Sequence, residues 1–365
     1  MSILVIELIL ILIGVLVSLI VSGILFLYSR RSPTNEMRML GITFLFIAIF
    51  FASHIPILFL SIAQDLAVLS QRLGFFIGQM GVLCGCLAVI FPNFKPTYRS
   101  IFILIITSGI NLSSAVFNSV TIYYTIVGDY VRTQIQPIGA ALWILSFVVF
   151  GALIFKRITE VSQIVRDRPN PFTNPRRLIT MLIVLIPGAG IMLLTPLFPE
   201  LPSPGFLYAI PVSLTLLYFI YSFSKDKAFF FITPASLDAV IITHRRTGLT
   251  IYSENFIEGL PADQLLGGLF AALDISLQET IRTETGLAEI SFGDKVILLS
   301  RGQWVTSLLI VSEKNFVTSA ASNFITREFE KEFKELLSVM EEGKGEEEAF
   351  ANFKAINEIR YYIPL

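Results

Sequence analysis

Gly205–Ser253 reads GFLYAIPVSLTLLYFIYSFSKDKAFFFITPASLDAVIITHRRTGLTIYS, and within it the chain changes solvent. Phe206–Phe223 carries no formal charge, and at about 1.5 Å per residue it is long enough to cross a hydrocarbon layer of roughly 30 Å. Lys225 and Lys227 follow at once as a basic collar. A short link, Thr233-Pro234-Ala235-Ser236, leads to Ala239–Thr243, the turn Arg245-Arg246-Thr247-Gly248, and Leu249–Ser253, a pattern that predicts strand, turn, strand. An apolar span thus passes directly into a soluble domain.

Composition agrees with that division. Only 15% of the 365 residues are charged and 54% are hydrophobic, too apolar for an ordinary cytosolic protein. The net charge of −1 hides an asymmetry: residues 1–224 hold 13 Lys+Arg against 7 Asp+Glu, and residues 225–365 hold 14 against 21. The acidic half has no attraction for nucleic acid or anionic lipid. Cys84 and Cys86 lie inside an apolar run and read as small interior residues at a helix contact rather than as a disulfide or metal site. Ile3–Tyr28 is longer than a signal-peptide core and ends in Arg30-Arg31 without a small-residue cleavage pattern, so it reads as a span.

Seven uncharged or nearly uncharged runs predict seven transmembrane helices: about Ile3–Tyr28, Met39–Ala63, Leu73–Phe91, Ile101–Thr121, Pro137–Phe155, Leu178–Pro196 and Phe206–Phe223. The segments after the odd-numbered spans carry 13 basic residues, and those after the even-numbered spans carry only Arg72 and Arg132. The positive-inside rule then puts the amino terminus outside and the carboxyl-terminal domain in the cytoplasm. Ser119–Gln136, rich in β-branched and aromatic residues around Gly128-Asp129, is expected to form an external hairpin. Lys156–Arg177 is basic and interrupted by Pro169, Pro171 and Pro175, so it should prolong the fifth helix briefly and then become a loop.

Polar residues inside spans are costly and point to function. Glu7, His54, Gln79, Asn118, Trp143 and Tyr208 all fall toward the outer third of their helices, which suggests a small cavity open to the outside that takes a small extracellular ligand. The competing reading is interhelical hydrogen bonding, which contributes only about 1 kcal/mol per group. No lysine stands in the seventh span to hold a retinal, and no chain of carboxylates crosses the bilayer.

Residues 237–365 read as two strands, a helix over about Ala262–Thr283, three strands (Gly286–Phe292, Lys295–Arg301, Trp304–Val311) and a helical end. Gly293-Asp294 and Gly302-Gln303 are expected two-residue turns. Asn315 caps a helix to about Met340, with Glu328, Glu330, Lys331, Glu332, Lys334 and Glu335 on its wet face, and a short helix from about Glu346 to Arg360 follows. The order ββ-α-βββ-αα, carried by AVIITHRRTGLTIYS (Ala239–Ser253), ISFGDKVILL (Ile290–Leu299) and NFITREFEKEF (Asn323–Phe333), resembles the longin domain, a profilin-like fold with a five-stranded antiparallel sheet. That resemblance implies an adaptor that binds proteins in trafficking machinery or in complexes regulating small GTPases, with no catalytic residues. A PAS sensor domain begins similarly, but one helix of some twenty residues fits longin better. The membrane half is similar in layout to the seven-span sensory regions of microbial histidine kinases, although His244 stands at a strand end and no nucleotide box follows it.

The residues present make no catalytic, metal or cofactor constellation. The expectation is therefore a seven-helix bundle (1–224), a juxtamembrane linker (225–236) and a cytoplasmic longin-like domain (237–365). It would act as a receptor or docking protein for a cytoplasmic protein partner, a small GTPase or its regulator. Lys225, Lys227, Arg245 and Arg246 would meet that partner or the lipid surface, a solvated hairpin turn being the commoner reading of the arginines. The rival is a transporter or channel with a regulatory soluble domain; an intramembrane enzyme would have only Glu7 with His54 as a candidate pair.

Overall fold

The computed structural model describes residues 3–31, 33–55, 64–90, 98–121, 123–127, 130–134, 136–180, 204–227, 229–257, 288–341 and 350–365, with isolated positions 183, 268, 269 and 272. The expected helix Ala262–Thr283 and the expected span Leu178–Pro196 lie almost wholly outside them. The chain divides into two compact units. The first is Met1–Arg30, Asn35–Ser162 and Asn174–Phe230; the second is Arg31–Thr34, Gln163–Thr173 and Phe231–Leu365.

In the first unit the helices are α1 (Ile3–Ser29), α2 (Glu36–Ala52), α3 (Gln64–Ile90), α4 (Tyr98–Thr121), α5 (Pro137–Asp167) and α6 (Pro204–Lys225). Among the described residues four stretches are long and apolar enough to cross a membrane: Leu8–Ser29, Val68–Ile90, Ile101–Asn118 and Pro137–Asp167. The expected second span falls on α2, which has 17 residues, and the expected seventh on α6. Side-chain distribution is inverted relative to a protein folded in water. Leu16, Phe102, Ile105 and Val116 are exposed, while Ser18, Ser22, Gln71, Gln79, Asn111 and Asn118 are buried. Large apolar residues facing outward in such number need lipid, not water, around them.

Close approach of α2 and α3 follows from sequence. Gly74, Gly78, Gly81 and Gly85 recur at helical spacing on one face of α3. A Cβ at Gly81 would stand 2.9 Å from Phe46 Cβ, and one at Gly74 would overlap the side chain of Ser53. Between α4 and α5, strands β1 (Tyr123–Val127) and β2 (Tyr130–Gln134) pair antiparallel with Val127 opposite Tyr130, as the β-branched composition predicts.

In the second unit β3 (Leu237–His244), β4 (Thr250–Asn255), β5 (Glu289–Phe292), β6 (Lys295–Arg301) and β7 (Val305–Val311) form a five-stranded antiparallel sheet in the order β4-β3-β7-β6-β5. One face gathers Ala239, Ile241, Ile297, Leu308 and Ile310. The other receives α7 (Phe316–Glu332), where the Ser307 hydroxyl meets Thr326 Oγ1 at 2.6 Å. Tyr252, Phe329, Phe333, Phe350 and Phe353 complete that second layer as an aromatic cluster.

Three local expectations change. The long terminal helix breaks at Phe333, whose φ of −111° leaves the helical region as its ring turns into the aromatic cluster, and α8 (Lys334–Glu341) restarts beyond it. The final helix is described only as α9 (Ala355–Arg360). The β6–β7 turn is centred on Gln303-Trp304, since the Gly302 N–H donates to the Val305 carbonyl. Its cause is Glu330, which leaves the wet face of α7 so that its carboxylate accepts from the backbone N–H groups of Trp304 and Val305 at 2.7 and 3.2 Å. Gly293, with φ of +60°, makes the two-residue turn expected of it between Phe292 and Lys295.

Candidate functional site

The most unusual chemistry in the first unit is a polar seam where α3, α4 and α5 meet. Thr107, Asn111, Ser114 and Asn118 recur at offsets of four, three and four residues, so they line one face of α4, and all are buried. Gln71, Phe75, Gln79 and Cys86 line one face of α3, set to the side of its glycine ridge, and all are buried too. Buried Trp143 and Ser146 share a face of α5 with Gly139.

Contacts fix the register. Asn111 Nδ2 reaches the Cys86 sulfur at 4.0 Å, joining α4 to α3. Asn118 Nδ2 donates to the Gly139 carbonyl at 3.2 Å, joining α4 to α5, and Phe75 packs on Trp143, joining α3 to α5.

Along the seam the described hydrogen bonds leave acceptors over. Asn118 spends its N–H groups on Ser114 Oγ and Gly139 O, and Asn111 spends its own on Thr107 O and Cys86. These donors assign the amide orientations, because a flipped Asn118 would set oxygen against the Gly139 carbonyl. The carbonyl oxygens of Gln71, Gln79, Asn111 and Asn118 are left buried with no hydrogen-bond partner among the described residues. Each unmade acceptor costs about 1–3 kcal/mol.

The residues expected to surround an outer cavity divide accordingly. Gln79, Asn118 and Trp143 converge on the seam but are 1%, 0% and 5% exposed, so their side chains are enclosed between helices instead of lining an open mouth. His54 lies beside it, with Nδ1 2.9 Å from the Phe50 carbonyl and its ring stacked edge-on near Phe50 and 6.3 Å from Phe75. The side chains of Glu7 and Tyr208 are outside the described set. Asn111, Ser114, Thr107, Gln71 and Ser146 join the seam without having been singled out from sequence; the four-three-four spacing on α4 is the signal that identifies them.

The basic residues at the junction have separate roles. Lys225 is exposed, and Lys227 Nζ stands 5.4 Å from the Tyr28 ring centroid. Arg245 and Arg246 are exposed on the β3–β4 turn, where the Arg245 guanidinium donates to the Gly302 carbonyl at 2.9 Å and so braces the neighbouring turn. Arg157, one of the basic residues after the fifth span, is 1% exposed and donates from Nε to the Phe230 carbonyl at 3.1 Å, with Glu160 3.7 Å from its guanidinium.

The linker expected at 225–236 is structured. Thr233 and Leu237 donate backbone N–H bonds to the Tyr362 and Pro364 carbonyls, Ser236 exchanges bonds with Ser312, and Asn315, which caps α7, also reaches Thr233 Oγ1. The loop after α5 is held as firmly: buried Asn170 donates to the Arg360 and Tyr361 carbonyls at 2.9 and 3.3 Å and accepts from the Phe172 N–H at 2.8 Å. Phe172 stacks against Tyr361 with centroids 4.6 Å apart, and Arg168 donates to the Pro234 carbonyl.

No protein-family model matches the chain, and comparison with curated proteins and with solved structures finds no match.

Proposed function

We propose that this chain is a seven-span membrane receptor or docking protein whose cytoplasmic longin-like domain binds a protein partner, a small GTPase or a regulator of one. The seven spans would be the four long helices together with α2, the run Leu178–Pro196 and α6, with the amino terminus outside and Leu365 in the cytoplasm. The observation that carries the reading is the way two bundle helices end. α5 continues into Gln163–Thr173 and α6 leads into Phe231–Leu237, and both segments are hydrogen-bonded parts of the sheet unit. A passive anchor needs only one flexible tether. Two structured attachments carry a helix displacement into β3 and the C-terminal residues, as a signal-transmitting element requires. The order of two strands, three strands and terminal helices supports the longin likeness.

The test is photo-cross-linking in cells from the intact chain with the probe at Arg245 or at Arg246, followed by binding of the captured protein to the purified full-length chain in nanodiscs. One partner that binds directly and loses affinity with charge-reversing substitutions there is expected. Absence of any such partner, or a tag after Leu365 that is reachable from outside intact cells, overturns the reading. Solute flux through proteoliposomes that is abolished by His54→Ala or Gln79→Leu would replace it with a transporter.

A further inference from the structure

We propose that the outer edge of β4 binds an extended peptide of a partner protein, one that carries acidic side chains, and that this peptide adds to the sheet as a sixth strand. The site goes beyond the receptor reading and does not depend on it. A cavity of about 580 Å³ lies between residues 251–254 of β4 and the segment that leads into α9, where Asn352, Phe353, Lys354 and Ile356 line it. Its place beside the sheet indicates what it takes. β4 ends the strand order β4-β3-β7-β6-β5, so within the sheet only one of its sides is paired. An extended chain laid along such an edge, with a helix as the opposite wall, is held by main-chain bonds.

Register identifies the backbone groups that face outward. The Phe256 N–H donates to the Asp238 carbonyl, and bonded pairs alternate along an antiparallel ladder, so Glu254 bonds Val240 while Ser253, opposite Ile241, does not bond across. On the other side of β3 the Arg245 N–H donates to the Trp304 carbonyl, a phase that turns the groups of Ile241 toward Leu308. The Ser253 N–H and carbonyl therefore point away from β3, and none of the described backbone bonds takes them. Charge selects the guest. Glu254 is engaged already, accepting from the Tyr252 hydroxyl at 2.7 Å and standing 3.7 Å from the Arg360 guanidinium. Lys354, across the cavity, is exposed and forms no ion pair among the described residues. The charge left over is positive, and an Asp or Glu side chain of the guest complements it. Buried Phe353 and Ile356 offer apolar contact beside it, so the matching peptide alternates apolar and acidic residues at the period of a strand.

The test presents the full-length chain in phosphatidylcholine nanodiscs to an array of acetylated hexapeptides, the length of β4, in which Val or Thr alternates with Asp or Glu; a matched array carries Lys or Arg in place of the acids. Saturable binding to members of the acidic array, at least about fivefold weaker on the basic one, is expected. Ser253→Pro deletes an outward N–H that the β3–β4 ladder does not use, and should weaken binding about tenfold with amide exchange in β3 unchanged. Lys354→Glu, at an exposed position, should reverse the preference between the arrays. N-methylation of alternate backbone nitrogens in the best peptide should also cost about tenfold, and this comparison needs no variant to fold. No saturable binding, equal binding to the two arrays, or indifference to N-methylation overturns the proposal. A cross-link from Asn352 that joins two copies of the chain overturns it too, by making a second copy the occupant. The receptor reading is judged separately by partner capture at Arg245 or Arg246, so either can fail alone.

Discussion

Asn170→Leu removes the pin between the segment that follows α5 and the C-terminal residues of the sheet unit. The side chain is 4% exposed and makes three bonds: donations to the Arg360 and Tyr361 carbonyls and acceptance from the Phe172 N–H. At about 1 kcal/mol net for each well-formed bond, and less for the one at 3.3 Å, the local loss is about 2 kcal/mol. Leucine fills similar volume, so the change isolates hydrogen bonding from packing. The affected unit is Gln163–Thr173, and the sheet's own ladder is untouched, so the loss falls on local opening rather than global unfolding. Hydrogen–deuterium exchange on the full-length chain in nanodiscs should show amides of Phe172 and Thr173 exchanging about 30-fold faster, with β3 and β7 unchanged. Asn170→Asp, which keeps the acceptor for Phe172 but turns a second oxygen toward two carbonyls, should be at least as damaging. An acceleration below about threefold, or one spread equally over β3 and β7, would refute the claim that this residue pins the loop locally.

Other consequences follow from single contacts. Gly74→Val should separate α2 from α3, because its Cβ would overlap Ser53; a loss of about 1–3 kcal/mol or more, seen as a lower thermal midpoint in detergent, is expected. Gly302→Ala would push aside the Glu330 carboxylate that holds the Trp304 and Val305 N–H groups, and should alter Trp304 emission as well as lower stability by about 1–3 kcal/mol. Burial raises the Tyr252 phenol above its ordinary pKa, its hydrogen bond to Glu254 and the charge of that carboxylate add to the shift, and Arg360 opposes it. The folded chain therefore keeps this proton where the unfolded chain loses it, so stability is unaffected below about pH 10 and falls above it; Tyr252→Phe should flatten that alkaline loss in denaturation midpoints.

The sheet was the most legible part of the chain, since the apolar run Val296–Leu299 and the Gly293-Asp294 turn fix strand and register within a few residues. The β6–β7 turn was not, because its centre is set by Glu330, 26 residues away from Trp304, and no local pattern reports that carboxylate. Phe333 misled for a related reason: helical periodicity runs through it, while its backbone departs from the helix to seat a ring among Phe329, Phe350 and Phe353. In the membrane half, depth along a helix marked Gln79, Asn118 and Trp143, but facing does not follow from depth. The angular position that joins Asn111, Ser114 and Asn118 on one side of α4 had to be read from spacing. Asn170 sits in a proline-broken basic loop whose composition says surface, and only the contacts with Arg360 and Tyr361 show it buried.

One helix has residues in both compact units. α5 contributes Gly139, Trp143 and Ser146 to the seam, and its last residues, from Gln163 to Asp167, belong to the sheet unit. At 31 residues with no interior proline it is a continuous rod of about 46 Å. Just beyond the helix, Asn170 clamps the chain to the carbonyls of Arg360 and Tyr361, whose neighbours Tyr362 and Pro364 hold the entry to β3. On the receptor reading proposed above, a signal carried along α5 would be lost in Asn170→Leu, which would separate it from any route through α6 alone.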